Sequence, residues 1–397
     1  MLTVSEARHL IVQQARSYGV ETVPLSEAGN RILAEAVYAD RDYPPFNRSA
    51  VDGYALRFKD IGHITSYRLV AQMLAGEPVK ALTEEGTCIK IMTGAPVPQG
   101  ADLVIRVEDA EEREEMVQFK MLPLKRWQNI ALQGEDAKDG TMVLPHSIVI
   151  NPSIVGLLAS LGRATVRVYS LPRVAVISTG DEIKAVEVAV LPHQIRDSNS
   201  YTIASFFRNY GIETVSRQLV SDRKEELKKA VEHVRGADIL ILSGGVSMGS
   251  ADFVPEVLAA CGVRKLFHKV QIKPGKPLWF GVGEKTVVFA LPGNPVSCQV
   301  AFKVFIEPFL RACFGLTALP FIKLPLTSVR KKKSSFEEYF PCTLVADKAS
   351  TGLLPVKNNG SGDFTSLACS AGIALHPAER EELKVGDLVD FIFWNGI

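Results

Sequence analysis

Hydrophobic and polar positions change rhythm three times along this 397-residue chain. Thr3 and Glu6 stand at capping-box spacing ahead of a periodic apolar stretch, which predicts a first helix running to Gly19. From about Arg68 to Val117 short apolar runs are interrupted by Gly and Pro, the mark of a small β-rich region. Beyond Leu171 the runs RVAVIS, ADILIL and TVVFAL are uninterrupted, as in strands buried on both faces. Between them the period is helical. Ile203, Phe206, Phe207 and Tyr210 share one face and stop at Gly211; Leu227, Ala230, Val231 and Val234 form a second stripe behind Asp222 and Glu225, again at capping-box spacing. ADFVPEVLAACG and PVSCQVAFKVFIEPFLRACFG read as two more helices. The alternation predicts a doubly wound α/β domain with a mostly parallel sheet. After Leu319 the helical period vanishes, and YFPCTLVAD and DLVDFIFW predict a C-terminal β-barrel or sandwich. The expected division is 47–136 (β-rich), 171–318 (α/β) and 319–397 (β-barrel), with 1–46 and 137–170 as an elongated, helix-containing linking region.

Composition narrows the partners. Basic and acidic residues number 45 and 44, so no broad charged face is expected to attract nucleic acid or a membrane. The N-terminal stretch mixes charges with apolar residues, unlike a signal peptide, and SIVINPSIVGLLASLG is broken by Asn151-Pro152 and too short to span a bilayer. Six scattered cysteines without a C-x-x-C pair read as reduced thiols. A cytoplasmic protein is expected. The acidic EDAEEREE and the basic RKKK read as solvated faces.

Candidate chemistry sits where parallel sheets hold ligands, beyond the carboxyl ends of the strands. RVAVIS is followed by Asp181 and Glu182, and ADILIL by Gly244, Gly245, Ser247 and then Asp252. TVVFAL is followed by the stiff turn Pro292, Gly293, Asn294, Pro295. Ahead of it lie Lys269, Lys273 and Lys276; if extended, the first two share a face. Glycine loops and lysines suit a phosphate or oxyanion, and neighbouring carboxylates suit a divalent metal bridging to it. Neither a P-loop nor a G-x-G-x-x-G fingerprint is present.

The motifs PPFNRSAVDGYA, IMTGAPVP, GED, VAVISTGDE, DSNS, SGGVSMGSADF, IKPGKP and LPGNPVS, in this order, closely resemble those of the molybdopterin molybdenumtransferases, the MoeA-type family that includes the gephyrin E domain. The resemblance spans nearly the whole chain. It implies a magnesium-dependent enzyme that inserts molybdate into adenylylated molybdopterin, giving molybdenum cofactor and AMP. It also implies a homodimer, with 1–46 and 137–170 as its dimerisation region and active sites shared between subunits. Asp52 and Thr93 would then reach across from the partner. By motif, Glu182, Asp222, Asp252, Lys269 and Lys273 are the catalytic candidates with Asp52 and Thr93, and Asp222 and Asp252 the metal ligands. Lys276, Gly244, Gly245, Ser247, Asp197, Ser198, Asn199 and Pro292 to Pro295 are the substrate-binding candidates. Transient contact with the molybdopterin adenylyltransferase and with molybdoenzyme maturation factors is expected.

Departures accompany the match. Asn47 stands where family members often have aspartate, Asn129-Ile130-Ala131 replaces an N-V-R, and Arg196 replaces an aromatic. SSFEEYFP stands in place of an arginine-rich stretch, so Arg48, Arg196 or the RKKK run is left to supply the missing cations. The alternatives are a non-catalytic dimeric scaffold of the gephyrin E-domain type and a paralogue handling another oxyanion such as tungstate.

Overall fold

Six successive buried residues make Val174–Thr179 (β1) the natural centre of a sheet. The remaining strands of that sheet follow as Thr214–Val220 (β2), Ile239–Ser243 (β3), Arg264–His268 (β4), Trp279–Val282 (β5) and Val287–Leu291 (β6). The computed structural model describes residues 1–121, 123–246, 253–319, 321–346 and 351–395. Residues Met1–Ala34, Ser147–Ala159 and Arg163–Ile397 form one compact unit, and Glu35–His146 with Ser160–Gly162 a second.

In the first unit the strand order is β2-β1-β3-β6-β5-β4. Alternate residues of the central strands serve opposite layers, as the two-residue period requires. Val174, Val176, Ile239, Ile241 and Phe289 enter one apolar cluster, while Ala175, Ile177, Leu240, Leu242 and Val288 enter the other. Helix Asn199–Arg208 and the helical run from Pro295 to Cys313 cover the first face; Lys224–His233 and Val254–Ala260 cover the second. β2, β1, β3 and β6 are parallel, but β5 and β4 are antiparallel to their neighbours, so the sheet is mixed. The cause is connection length. Only residues 283–286 join β5 to β6, and a parallel crossover needs a dozen or more.

Two helix ends differ from expectation. Thr3 and Glu6 do form the capping box, with the Glu6 N–H donating to Thr3 Oγ1 at 3.2 Å and the Thr3 N–H to Glu6 Oε2 at 2.8 Å. That helix ends at Val12 rather than Gly19, because Ile11 is its last fully buried position. Gly19 instead has φ +105° and leads into Val20–Pro24, which pairs with Thr165–Tyr169. The Lys224–His233 helix has no side-chain cap, since Asp222 is engaged elsewhere.

The C-terminal sheet is built around Glu337–Ala346 and Gly372–His376. One of its edge strands is Ile272–Lys273, which leaves the α/β layer between β4 and β5 and pairs in parallel with Glu337 and Glu338. In the second unit, strands Thr87–Ile91 and Tyr67–Met73 centre a six-stranded sheet with apolar clusters on both faces. Among the described residues no helix is long and apolar enough to cross a membrane.

Candidate active site

From β1 the chain goes to β2 on one side and then crosses to β3 on the other. Loops leaving β1 and β3 therefore diverge and leave a crevice between their carboxyl ends. Two glycines shape its floor. Gly244 has φ +99°, and a Cβ there would lie 2.3 Å from the Thr179 carbonyl oxygen; Gly245 has φ +64° and faces Val254. Only glycine allows the two loop backbones to touch.

The cavity above them is about 810 Å³. Glu182, Asp222, Arg196, Ser198 and the Pro292 to Pro295 turn line it. The Thr179 hydroxyl donates to Asp222 Oδ1, and the Asp222 N–H donates to Asp181 Oδ1 at 3.3 Å. Asp222 is thus an oriented carboxylate on the cavity wall. Asp197 and Asn199 also line the cavity, and their side-chain hydrogen bonds are structural fasteners. Asp197 Oδ1 accepts from Ser178 Oγ at 3.1 Å and from the Ser200 N–H at 3.1 Å, which caps the start of the Asn199–Arg208 helix. Asn199 Nδ2 donates at 2.8 Å both to Ser243 Oγ and to the Gly293 carbonyl, tying the loops after β3 and β6 together.

A second cavity of about 540 Å³ adjoins the first and shares Pro277, Pro292 and Asn294 with it. Lys273, Lys276, Arg330 and Glu338 line it. Glu338 accepts from Lys273 Nζ at 3.0 Å and from Arg330 Nη2 at 2.8 Å. Burial would raise the Glu338 carboxyl, but the hydrogen bonds from Arg330 and Lys273 outweigh it and hold it below the usual range. Arg330 also lies 4.0 Å from the Phe340 ring centroid, and its Nη1 meets His376 Nδ1 at 2.6 Å. The arginine can only donate, so Nδ1 accepts, and Nε2–H donates to the Arg380 carbonyl at 2.9 Å. Burial, with the Arg330 charge, pushes the His376 imidazole down to about 4. Three cations face this cavity against one carboxylate, which suits a doubly charged oxyanion.

The sequence expectations fare unevenly here. Glu182, Asp222, Gly244, Gly245, Asp197, Ser198, Asn199 and the 292–295 turn are brought together, and Lys273 and Lys276 lie in the adjoining cavity. Lys269 lines neither cavity. It has φ +74° and lies outside the short strand Ile272–Lys273, so it does not share a face with Lys273 through an extended segment. Ser247 and Asp252 lie outside the described residues. Asp52 and Thr93 belong to the second unit, where Asp52 Oδ1 accepts from the Thr93 N–H at 2.7 Å and its hydroxyl at 2.8 Å. Those two bonds hold the exposed Asp52 carboxyl below its ordinary value.

RKKK is not a solvated face throughout: Arg330 lines the lysine cavity, and Lys332 is buried with its Nζ donating to the Phe336 and Ala378 carbonyls. Glu338 was not foreseen. Its signal was a carboxylate at the head of the apolar strand FPCTLVA, where an unpaired charge would be costly. Among the described residues no three His, Cys, Asp or Glu side chains group to hold a metal.

Three family models match in succession. They are the MoeA N-terminal region (domains I and II) over residues 2–162, a probable molybdopterin binding domain over 175–312, and the MoeA C-terminal region (domain IV) over 323–394. The chain is 32% identical to the molybdopterin molybdenumtransferase of Staphylococcus aureus, covering 98% of this chain and 95% of that one. It is 33% identical to that of Synechocystis, covering 99% and 100%. The molybdopterin biosynthesis MoeA protein of Pyrococcus horikoshii superposes with a TM-score of 0.84 at 28% identity, over 99% of this chain and all of the other. With matching regions in matching order and whole-length likeness in sequence, the chain belongs to the MoeA family of molybdopterin molybdenumtransferases, transferases of molybdenum cofactor biosynthesis.

Proposed function

We propose that this protein inserts molybdate into adenylylated molybdopterin in a magnesium-dependent step, yielding molybdenum cofactor and AMP in the cytoplasm. One observation carries the reading: a glycine-floored cavity with an oriented carboxylate opens beside a second cavity lined by Lys273, Lys276 and Arg330. The first suits the pterin and the phosphates, which approach the Gly244–Gly245 backbone closely. The second suits molybdate, a compact dianion met by cations at short range. Arg330 supplies the cation that SSFEEYFP does not.

Magnesium commonly binds through one or two carboxylates together with substrate phosphates. Asp222 fits that role, because the Thr179 hydrogen bond engages only its Oδ1 and the residue lines the cavity. Bound there, the ion would neutralise charge on the phosphoanhydride as it breaks. Asp252 is proposed as a companion ligand from its motif, and Glu182 as a carboxylate at the mouth. Asp52 and Thr93 are proposed to complete the site from a partner subunit, and the adenylyltransferase to deliver the substrate.

Incubating the protein with adenylylated molybdopterin, molybdate and magnesium, and measuring AMP by chromatography, tests the reading. AMP release that needs all three is expected. Release that is indifferent to molybdate would sink it.

A further inference from the structure

Beside the glycine-floored cavity lies a smaller one of about 350 Å³, whose lining shares Ser198, Pro295 and Phe364 with it. Its lining among the described residues includes no Lys, Arg, Asp or Glu. The polar groups are neutral, chiefly the amides of Asn209, Gln299 and Asn395. Asn209 and Gln299 are half-buried, and neither amide has a hydrogen-bond partner among the described residues. Both amides therefore present donors and acceptors to whatever enters the cavity. The walls are aromatic. Phe206 is fixed by stacking on Phe302 at 4.6 Å between ring centroids, whereas Phe364 is 58% exposed at the junction with the larger cavity.

This chemistry is wrong for phosphate or molybdate, which need cations. It matches a planar, uncharged nitrogen heterocycle, whose edge offers donors and acceptors to amides and whose face packs on an aromatic ring. We propose that the side cavity holds the adenine ring of the adenylylated substrate, its edge read by Gln299 and Asn209 and its face set against Phe364. The proposal rests on the functional reading above. It assigns the leaving AMP a base subsite distinct from the cavities that take pterin, phosphate and oxyanion.

Calorimetry with AMP and with ribose 5-phosphate, which lacks the base, separates the two readings. Wild-type protein is expected to bind AMP at least about tenfold more tightly than ribose 5-phosphate. The double variant Gln299→Ala/Asn209→Ala should lose most of that advantage, and so should Phe364→Ala, whose exposed ring can be removed without disturbing the core. Ribose 5-phosphate should bind all three proteins alike, which reports an intact fold. Equal binding of the two ligands to wild type, or an advantage untouched by the variants, overturns the base subsite alone. So does a free pterin whose affinity falls in the variants while that of AMP does not, because the cavity then belongs to the other ring. Failure of both AMP and ribose 5-phosphate to bind overturns the subsite and the functional reading together.

Discussion

Gly244 is the residue on which the site's geometry turns. Alanine there would combine a left-handed φ with a contact against the Thr179 carbonyl that no Cβ tolerates. Gly244→Ala is expected to destabilise the fold by about 2 kcal/mol and to abolish AMP binding; a melting temperature and affinity like those of wild type would contradict this. His376 gives a different signature. Its imidazole titrates near 4 when folded but near its ordinary 6.5 when unfolded, so between those values the unfolded chain binds a proton that the folded one refuses. Stability therefore falls as pH drops through this window, by roughly 3 kcal/mol in all. Glu338, also held below its ordinary value, acts in the same direction but only at more acid pH, whereas burial raises the Glu307 and Glu337 carboxyls, which act in the opposite direction; over the range from 6.5 to 5 it is the difference between wild type and a His376 variant that reports the histidine. Denaturant melts of wild type and His376→Gln should show the slope over that range in the first and a flatter profile in the second.

At the scale of elements, what the sequence could and could not disclose follows from what each pattern encodes. The buried strands and the amphipathic helices were legible because burial on two faces, or on one stripe, is written in the local order of residues. Strand direction was not. An apolar run reads the same either way, and only the short 283–286 connection implied the antiparallel turn. Asp222 fitted a capping box, but Thr179, far away in sequence, engages it instead. Arg330 looked solvated because its burial depends on Glu338, Phe340 and His376, all supplied by the C-terminal sheet, to which Arg330 itself does not belong. The site was therefore legible as a set of loops, while one of its cations and that cation's supports were not. One prediction belongs here. Lys273→Ala and Lys276→Ala should each weaken molybdate binding severalfold, and more at low salt than at high salt, because exposed charges are screened. Arg330→Ala should weaken it with less salt dependence, its guanidinium being largely buried. Calorimetry at two ionic strengths distinguishes these outcomes; unchanged affinity in all three variants would remove the cavity from the site.

For the whole molecule, the proposed sharing of sites makes a quantitative claim. If Asp52 serves the partner's site, Asp52→Ala and Asp222→Ala chains, each inactive alone, should complement when mixed. One site of a mixed dimer then collects both lesions and the other is intact. Random reassortment makes about half the dimers mixed, so roughly a quarter of wild-type activity should return. No recovery after demonstrated subunit exchange would mean that each chain builds its own site. The strand Ile272–Lys273 carries a further consequence, one of timing. It leaves the α/β layer to pair with Glu337 and Glu338, which the ribosome adds more than sixty residues later. A nascent chain halted before residue 337 would already hold every strand of the β2-β1-β3-β6-β5-β4 sheet. Yet its lysines would have no ladder to fix them and no Arg330–Glu338 pair beside them, so the cavity that Lys273, Lys276 and Arg330 line comes into being only as the last domain emerges.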